Sequence, residues 1–212
     1  MADDLFIEME AAQYTKTGQG ACGDDVRFMT VEKENRHLVA LSDGLGSGVK
    51  ANVLATMTTS MAIKFLESNV PMLEAVEIIM DSLPVCEVRK IGYATFSLFD
   101  FRLGGKARIS EMGNPGYIHL RGTEEVAPLK DEQIVSSHWP DREVRKCEAD
   151  FRSGDRIILC SDGLYGMIEE RDTAKLMRSS RSPERVCRHL VDKANENGGR
   201  DNISAVYIHI HG

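Results

Sequence analysis

Residues 38–48 read Leu-Val-Ala-Leu-Ser-Asp-Gly-Leu-Gly-Ser-Gly and carry the chain from a strand into a helix. Leu38–Ser42 is an apolar run typical of a strand, and the apolar spacing after residue 48 predicts a helix. Asp-Gly is a strong signal for a hairpin turn, yet Asp43-Gly44 is not followed by a return strand. A loop between a strand and a helix presents functional groups on a rigid base. Asp43 is therefore a candidate functional residue.

Three further acidic residues lie in comparable turns. Asp24 occurs in Cys-Gly-Asp-Asp, Asp162 in Ser-Asp-Gly-Leu and Asp201 in Gly-Arg-Asp-Asn. A carboxylate at a strand end has its position fixed by the sheet while its oxygens remain free. Several such groups converging on one point repel each other unless hard cations neutralise them. The set indicates a metal site with oxygen ligands, although a single Asp-Gly is also explained by a simple turn.

The glycines of Gly44–Gly48 also invite a phosphate-loop interpretation. Their spacing is G-x-G-x-G, and Val49 stands where a dinucleotide-binding loop has its third glycine. A Walker loop requires Lys-Ser or Lys-Thr after its last glycine, whereas Val49-Lys50 follows Gly48 here. We favour glycines that let the backbone approach a metal or a phosphate closely, with nucleotide binding as the alternative.

Composition restricts the class of protein. The 212 residues fit one domain, predicted to span 1–212. The net charge of −7 argues against a nucleic-acid binder, whose affinity depends on Lys and Arg. No apolar stretch approaches the roughly 18 residues of a membrane span, and the N-terminus lacks a signal peptide. Five cysteines without a C-x-x-C pair predict neither disulfides nor a zinc site, and so a cytoplasmic protein.

The element pattern predicts an α+β fold in which an antiparallel β-sandwich is flanked by helical layers. The predicted strands cover 26–31, 36–42, 91–101, 106–112, 117–121, 157–160 and 203–210, and the predicted helices 48–67, 72–83 and 183–195. Strands at both ends of the chain imply that the two ends share one sheet. In the first helix Val53, Met57, Met61 and Phe65 recur at i+4 intervals and predict its core face.

Two histidines alternate on the last predicted strand. His209 and His211 would share one face there and could bind a metal together. We favour the simpler interpretation that they are frayed residues near the chain end, since such residues are usually poorly ordered.

Taken together, the motifs resemble one known family. Residues 43–48, 161–164 and 199–204 are similar to motifs of the metal-dependent serine/threonine protein phosphatases, the PPM or protein phosphatase 2C-like family. Gly23-Asp24 and the sequence Gly-Asn-Pro-Gly at 113–116 make the chain most similar to the bacterial SpoIIE/RsbU/RsbX branch. The resemblance covers essentially the whole chain, in the family's order and spacing.

The resemblance implies a site with two manganese or magnesium ions. Asp43 would bridge the ions, and the Gly44 carbonyl would contact one of them. Asp24 and Asp201 would help to hold one ion, and Asp162 the other. These ions would activate a water for direct hydrolysis of phosphoserine or phosphothreonine, and carboxylate ligands suit magnesium and manganese better than zinc.

Two positions depart from the better-known members of the family. Those enzymes carry a histidine, a candidate general acid, directly after the bridging Asp-Gly, whereas this chain has Leu45. They also use an N-terminal arginine to hold phosphate. Only Lys16 lies in the corresponding stretch, and we interpret it as solvent-exposed surface.

The resemblance also implies partners. The substrate would be a bacterial signalling phosphoprotein such as an anti-sigma-factor antagonist, and residues 50–83 match the position of two regulatory helices, which implies control by a partner there. We expect a stand-alone catalytic domain, because no sensor module precedes Asp24. The alternative function is a non-catalytic module of the same fold that binds phosphoproteins or metal.

Overall fold

The computed structural model describes residues 5–84, 94–136 and 139–212. Its strands are β1 (Phe6–Tyr14), β2 (Asp24–Val31), β3 (Arg36–Asp43), β4 (Phe96–Phe101), β5 (Lys106–Met112), β6 (Ile118–Arg121), β7 (Glu124–Glu125), β8 (Lys130–Ser136), β9 (Trp139–Asp150), β10 (Arg156–Cys160) and β11 (Ile203–His211). Its helices are α1 (Gly48–Glu67), α2 (Met72–Ser82), α3 (Asp162–Tyr165), α4 (Glu170–Met177) and α5 (Pro183–Glu196). The start of the strand predicted over 91–101, and Cys86, lie outside the described residues.

The strands form two antiparallel sheets. One sheet has the order β1-β11-β10-β6-β7, and the other has the order β2-β3-β4-β5-β9-β8. Strands β1 and β11 pair along their whole length, from Phe6 opposite His211 to Tyr14 opposite Ile203. The prediction that both ends of the chain share one sheet is therefore confirmed. The strand β1 itself was missing from the predicted elements.

The main core lies between the two sheets. Val39 and Phe99 of one sheet belong to the same buried cluster as Ile157 and Val206 of the other. A second cluster joins α1 and α2 to the outer face of the six-stranded sheet, and a third joins α5 to the outer face of the five-stranded sheet. The predicted sandwich flanked by helical layers is confirmed. In the described part of the chain no helix has the length and apolar character needed to cross a membrane.

The predicted core face of α1 was only half right, because Met61 and Phe65 are partly buried and pack against the core. Val53 and Met57 are 48% and 44% exposed. The buried residues of this helix are Ala51, Leu54, Ala55, Thr58, Thr59, Ala62, Ile63 and Leu66. Because alanine and threonine dominate this face, a search for large apolar side chains selects a neighbouring face of the helix instead.

The C-terminal histidines are also placed differently from the prediction. Strand β11 continues to His211, which pairs with Phe6 of β1, and His209 is buried. Neither residue is frayed, because both lie in a strand that β1 covers on one side.

Candidate metal centre

Asp24 and Asp43 face each other across two paired strands. Asp24 is the first residue of β2 and Asp43 is the last residue of β3, and the antiparallel register places them directly opposite. After burial, the charge of Asp24 is the next largest cause that raises the pKa of Asp43. Two carboxylates that face each other disfavour each other's negative charge, so the pair favours a bound cation.

Asp162 and Asp201 come from the other sheet. Asp162 begins α3 immediately after β10, and Asp201 precedes β11, the strand that pairs with β10. The Ser161 amide donates a hydrogen bond to the Ser204 carbonyl at 3.1 Å, and the Ser204 amide donates one to Ser161 Oγ at 3.0 Å. This pairing holds the two aspartate-bearing loops at one end of the five-stranded sheet.

A serine and a glutamine join the two sheets at this point. Ser204 Oγ donates a hydrogen bond to Asp24 Oδ2 at 2.6 Å. Gln13 of β1 donates from Nε2 to Ser204 Oγ at 3.0 Å and to the Asp24 carbonyl at 3.3 Å. One oxygen of Asp24 is thereby satisfied, whereas Asp24 Oδ1 is buried without a hydrogen-bond partner.

The electrostatics indicate that the four carboxylates converge. Burial, followed by the charges of Asp24, Asp162 and Asp201, raises the pKa of Asp43 to about 8. Burial is also the largest cause that raises the pKa of Asp24 to about 6, against hydrogen bonds from Ser204 and Ser161 that lower it. A site that disfavours its own negative charge in this way favours bound cations.

Two glycines allow the backbone segments around the centre to approach closely. A Cβ atom on Gly44 would lie 2.0 Å from the Ala51 carbonyl oxygen of α1, and one on Gly163 would lie 2.0 Å from the Asn202 carbonyl oxygen. Any larger residue would push these segments apart. The close neighbour of Gly44 is thus the backbone of α1, and the approach of this loop to a metal or a phosphate stays a prediction.

The donor set fits hard divalent cations. It consists of carboxylates and includes a buried oxygen without a partner, which suits magnesium or manganese. Among the described residues, only a different set, Glu8, His209 and His211, places three ligand atoms all within 4.8 Å of one another. No three of the aspartates are therefore gathered that closely, and the number of ions stays a prediction.

Two charged residues near the centre have roles that the sequence did not reveal. Asp25 accepts hydrogen bonds from Thr59 Oγ1 of α1 and, at 3.2 Å, from Arg27 Nε, so it links β2 to the helix. Lys16 Nζ lies 3.8 Å from Asp201 Oδ1, and the Lys16 amide donates to Asn202 Oδ1 at 3.1 Å. Lys16 therefore lies at the rim of the centre and is not merely solvent-exposed surface.

Sequence reasoning also missed the residues that support Asp43. The Thr95 amide donates to the Asp43 carbonyl at 2.9 Å. Thr95 Oγ1 in turn contacts Asn114 Oδ1, and Asn114 Nδ2 donates to Ser97 Oγ at 3.1 Å. Asn114 belongs to the Gly-Asn-Pro-Gly sequence at 113–116, which entered the sequence analysis only through the family resemblance. Its polar side chain was the available signal.

The two facing sheets, the outer helices and the carboxylates at one end define a phosphatase fold of the protein phosphatase 2C type. The structure of the SpoIIE phosphatase domain from Bacillus subtilis superposes with a TM-score of 0.71, at 21% identity over 98% of this chain and 93% of that one. The structure of RsbX in complex with magnesium superposes with a TM-score of 0.73, at 18% identity over 96% of this chain and 95% of that one. The structure of the PstP catalytic domain in complex with two manganese ions superposes with a TM-score of 0.70, at 18% identity over 98% of this chain and 100% of that one.

The sequence comparisons establish the family. The model of the family "Stage II sporulation protein E (SpoIIE)" matches residues 33–211, so the chain belongs to the SpoIIE family. A putative protein phosphatase 2C-type from Streptococcus pyogenes is 25% identical over 97% of this chain and 76% of its own length. The serine/threonine phosphatase stp of Listeria monocytogenes is 34% identical over 58 residues, which are 27% of this chain and 23% of that protein. The chain thus spans about a quarter of the length of these Listeria relatives.

Proposed function

We propose that the protein is a metal-dependent phosphatase that hydrolyses phosphoserine or phosphothreonine in a protein substrate. The observation that carries this proposal is the pairing of Asp24 opposite Asp43, where burial and then the charges of Asp24, Asp162 and Asp201 raise the pKa of Asp43. Membership of the SpoIIE family and the activities named for its relatives support the same conclusion.

In this proposal the carboxylates of Asp24, Asp43, Asp162 and Asp201 and the carbonyl of Gly44 hold two manganese or magnesium ions. When bound, such a pair of ions supplies an activated water and neutralises phosphate oxygens. The chain's own residues fix the ligands beforehand. The Ser204 hydroxyl occupies Asp24 Oδ2 and leaves Oδ1 for a cation.

Leu45, directly after Gly44, offers no proton. Water or another group must therefore protonate the leaving alkoxide. Lys16 provides a positive charge beside Asp201. We propose that it attracts the phosphate group, since long-range attraction by a cation raises the local concentration of an anion.

We also propose that the substrate is a protein and that a regulatory partner binds the helical layer that contains α1. Val49, Val53 and Met57 are 68%, 48% and 44% exposed and recur at i+4 intervals along α1, which begins five residues after Asp43. An exposed apolar stripe of this kind is typical of a protein contact. It supports a partner at residues 50–83. We take the substrate class from the resemblance alone, as a signalling phosphoprotein such as an anti-sigma-factor antagonist. The single domain over 1–212 and the cytoplasmic location stay predictions.

The proposal is tested by hydrolysis of para-nitrophenyl phosphate and of a phosphoserine peptide, with manganese and with a chelator. We expect turnover that requires the metal and that Asp43→Asn abolishes. The matched control is Asp192→Asn, an exposed aspartate of α5. Full activity after chelation, or unchanged turnover in Asp43→Asn, would contradict the proposal. Binding of manganese without turnover would favour the non-catalytic module, and stabilisation by ATP would favour nucleotide binding.

A further inference from the structure

Three metal-ligating side chains meet on β1 and β11, at the end of β11 away from the aspartates. His209 and His211 lie on the same face of β11, and Glu8 of β1 is paired in register with His209. One ligand atom from each of the three residues lies within 4.8 Å of the other two. Eight residues of extended chain separate His209 from Asp201, which corresponds to about 25 Å.

The cluster contains an unsatisfied buried nitrogen. His209 is only 6% exposed, and its Nδ1 is buried without a hydrogen-bond partner. His211 Nε2 lies 2.8 Å from Glu8 Oε2, and the two imidazole rings are 4.0 Å apart between centroids. A buried imidazole nitrogen without a partner is costly, and a bound cation is one way to satisfy it.

We propose that Glu8, His209 and His211 form a second metal site, which takes a transition-metal ion of the zinc type. Two imidazoles and one carboxylate are a donor set that zinc accepts, and three protein ligands leave a fourth position for water. Magnesium prefers oxygen ligands and octahedral geometry, so it does not compete well for this set. The site is thus selective for a different metal from the aspartate centre.

Charges of both signs surround the site. Arg156, which lies opposite His209 on β10, and Arg181 oppose a cation, whereas Glu8 supplies a negative charge. Burial is the largest cause that lowers the pKa of His209 to about 4, and the neutral imidazole is the form that binds a metal. An ion in this position joins β1 to β11 and fixes the N-terminal strand to its sheet.

The test is calorimetric titration of the whole protein with zinc chloride, in millimolar magnesium to saturate the aspartate centre. We expect one zinc ion to bind with micromolar or tighter affinity. His211→Gln keeps an amide nitrogen beside Glu8 but removes the imidazole. Even outer-shell partners of a metal ligand are worth about 10–100-fold in affinity, so this variant should lose at least about tenfold. His189→Gln, an exposed histidine of α5, is the matched control and should bind zinc like the wild type.

Glu8→Gln gives an independent variant, and circular dichroism checks that each variant is folded. Absence of zinc binding in magnesium-saturated wild type would overturn the proposal. An affinity that is equal in wild type, His211→Gln and Glu8→Gln would overturn it as well. Because the readout is zinc binding, the result is independent of phosphatase activity, and failure of the proposed function would leave it unaffected.

Discussion

At the scale of single residues, Ser204 decides how Asp24 is presented. Its hydroxyl donates to one carboxylate oxygen at 2.6 Å, and the other oxygen remains buried and free. Without that hydrogen bond, the orientation of the Asp24 carboxylate would not be fixed by Ser204. The serine therefore acts as a positioning residue for the proposed metal ligand.

The first prediction follows from that contact. We expect Ser204→Ala to weaken manganese binding by about 10–100-fold, the usual cost of losing a residue that orients a metal ligand. The measurement is the manganese concentration that gives half-maximal turnover, together with direct titration of the metal. Ser110→Ala is the matched control, because Ser110 is also a buried serine but its hydroxyl has no partner. Equal manganese affinities in the two variants would refute the role of Ser204.

The second prediction concerns Gly163. An added Cβ would lie 2.0 Å from the Asn202 carbonyl oxygen and 3.5 Å from Asp201 Cβ. Overpacking against backbone typically costs about 1–3 kcal/mol, so Gly163→Ala should lower the free energy of unfolding by about that amount. It should also weaken metal binding, since the Asp201 loop must move. Urea denaturation measures the first effect, and Gly20→Ala, where the added methyl meets open space, should leave stability nearly unchanged.

The four aspartates could be predicted as site residues from the sequence, but the residues that position them could not. Strand and turn patterns single out Asp24, Asp43, Asp162 and Asp201, whose roles as ligands stay predictions, because a carboxylate beside glycine at a strand end is a local feature. Gln13, Thr95 and Ser204 act through contacts between segments distant in the sequence. No local pattern identifies such contacts.

At the scale of elements, a buried carboxylate holds the end of β6 to the turn before β10. Asp155 Oδ2 lies 2.8 Å from His119 Nε2 and accepts from Arg121 Nη2 at 2.8 Å, and the Arg152 amide donates to it at 2.9 Å. Burial alone would raise the pKa of Asp155, but these hydrogen bonds outweigh it and hold the pKa below its ordinary value.

The third prediction is a pH dependence with a definite sign. Because the folded-state pKa of Asp155 is below the unfolded value, its contribution to stability is present above about pH 4 and is lost as the pH falls through the folded pKa. Asp155→Asn should lower the free energy of unfolding by about 3 kcal/mol at pH 7. The difference in unfolding free energy between this variant and the wild type should shrink below pH 4. Denaturant-induced unfolding at a series of pH values across this range measures that difference. A difference that stays constant with pH would contradict the assignment, and Asp192→Asn should show no such trend.

Element positions were predictable where the pattern is strong. The helix predicted over 72–83 corresponds to α2, and the last predicted strand corresponds to β11. The strands predicted over 26–31 and 36–42 correspond to β2 and β3. The buried face of α1 was predictable only in part. Its main buried residues include Ala51, Ala55 and Ala62, whereas Val53 and Met57 of the predicted stripe are exposed. Close approach of helix to sheet favours small side chains, and hydrophobicity alone does not encode it.

At the scale of the whole molecule, the aspartate centre spans both sheets. Asp24 and Asp43 belong to the six-stranded sheet, whereas Asp162 and Asp201 adjoin β10 and β11 of the five-stranded one. The sheets otherwise meet through the apolar cluster between them. Ions in the centre would therefore cross-link the two layers at one end of the sandwich.

The last prediction tests that cross-link. Ligands that bind only the folded state stabilise it by about 2.7 kcal/mol at 100 times their dissociation constant. Manganese should therefore raise the melting temperature of the wild type, and a chelator should reverse the rise. Asp43→Asn, which removes the proposed bridging ligand, should show little or no rise. His211→Gln should respond to manganese like the wild type, because it lies at the opposite end of β11. A rise of equal size in Asp43→Asn would place the stabilising ions elsewhere and contradict a centre shared by the two sheets.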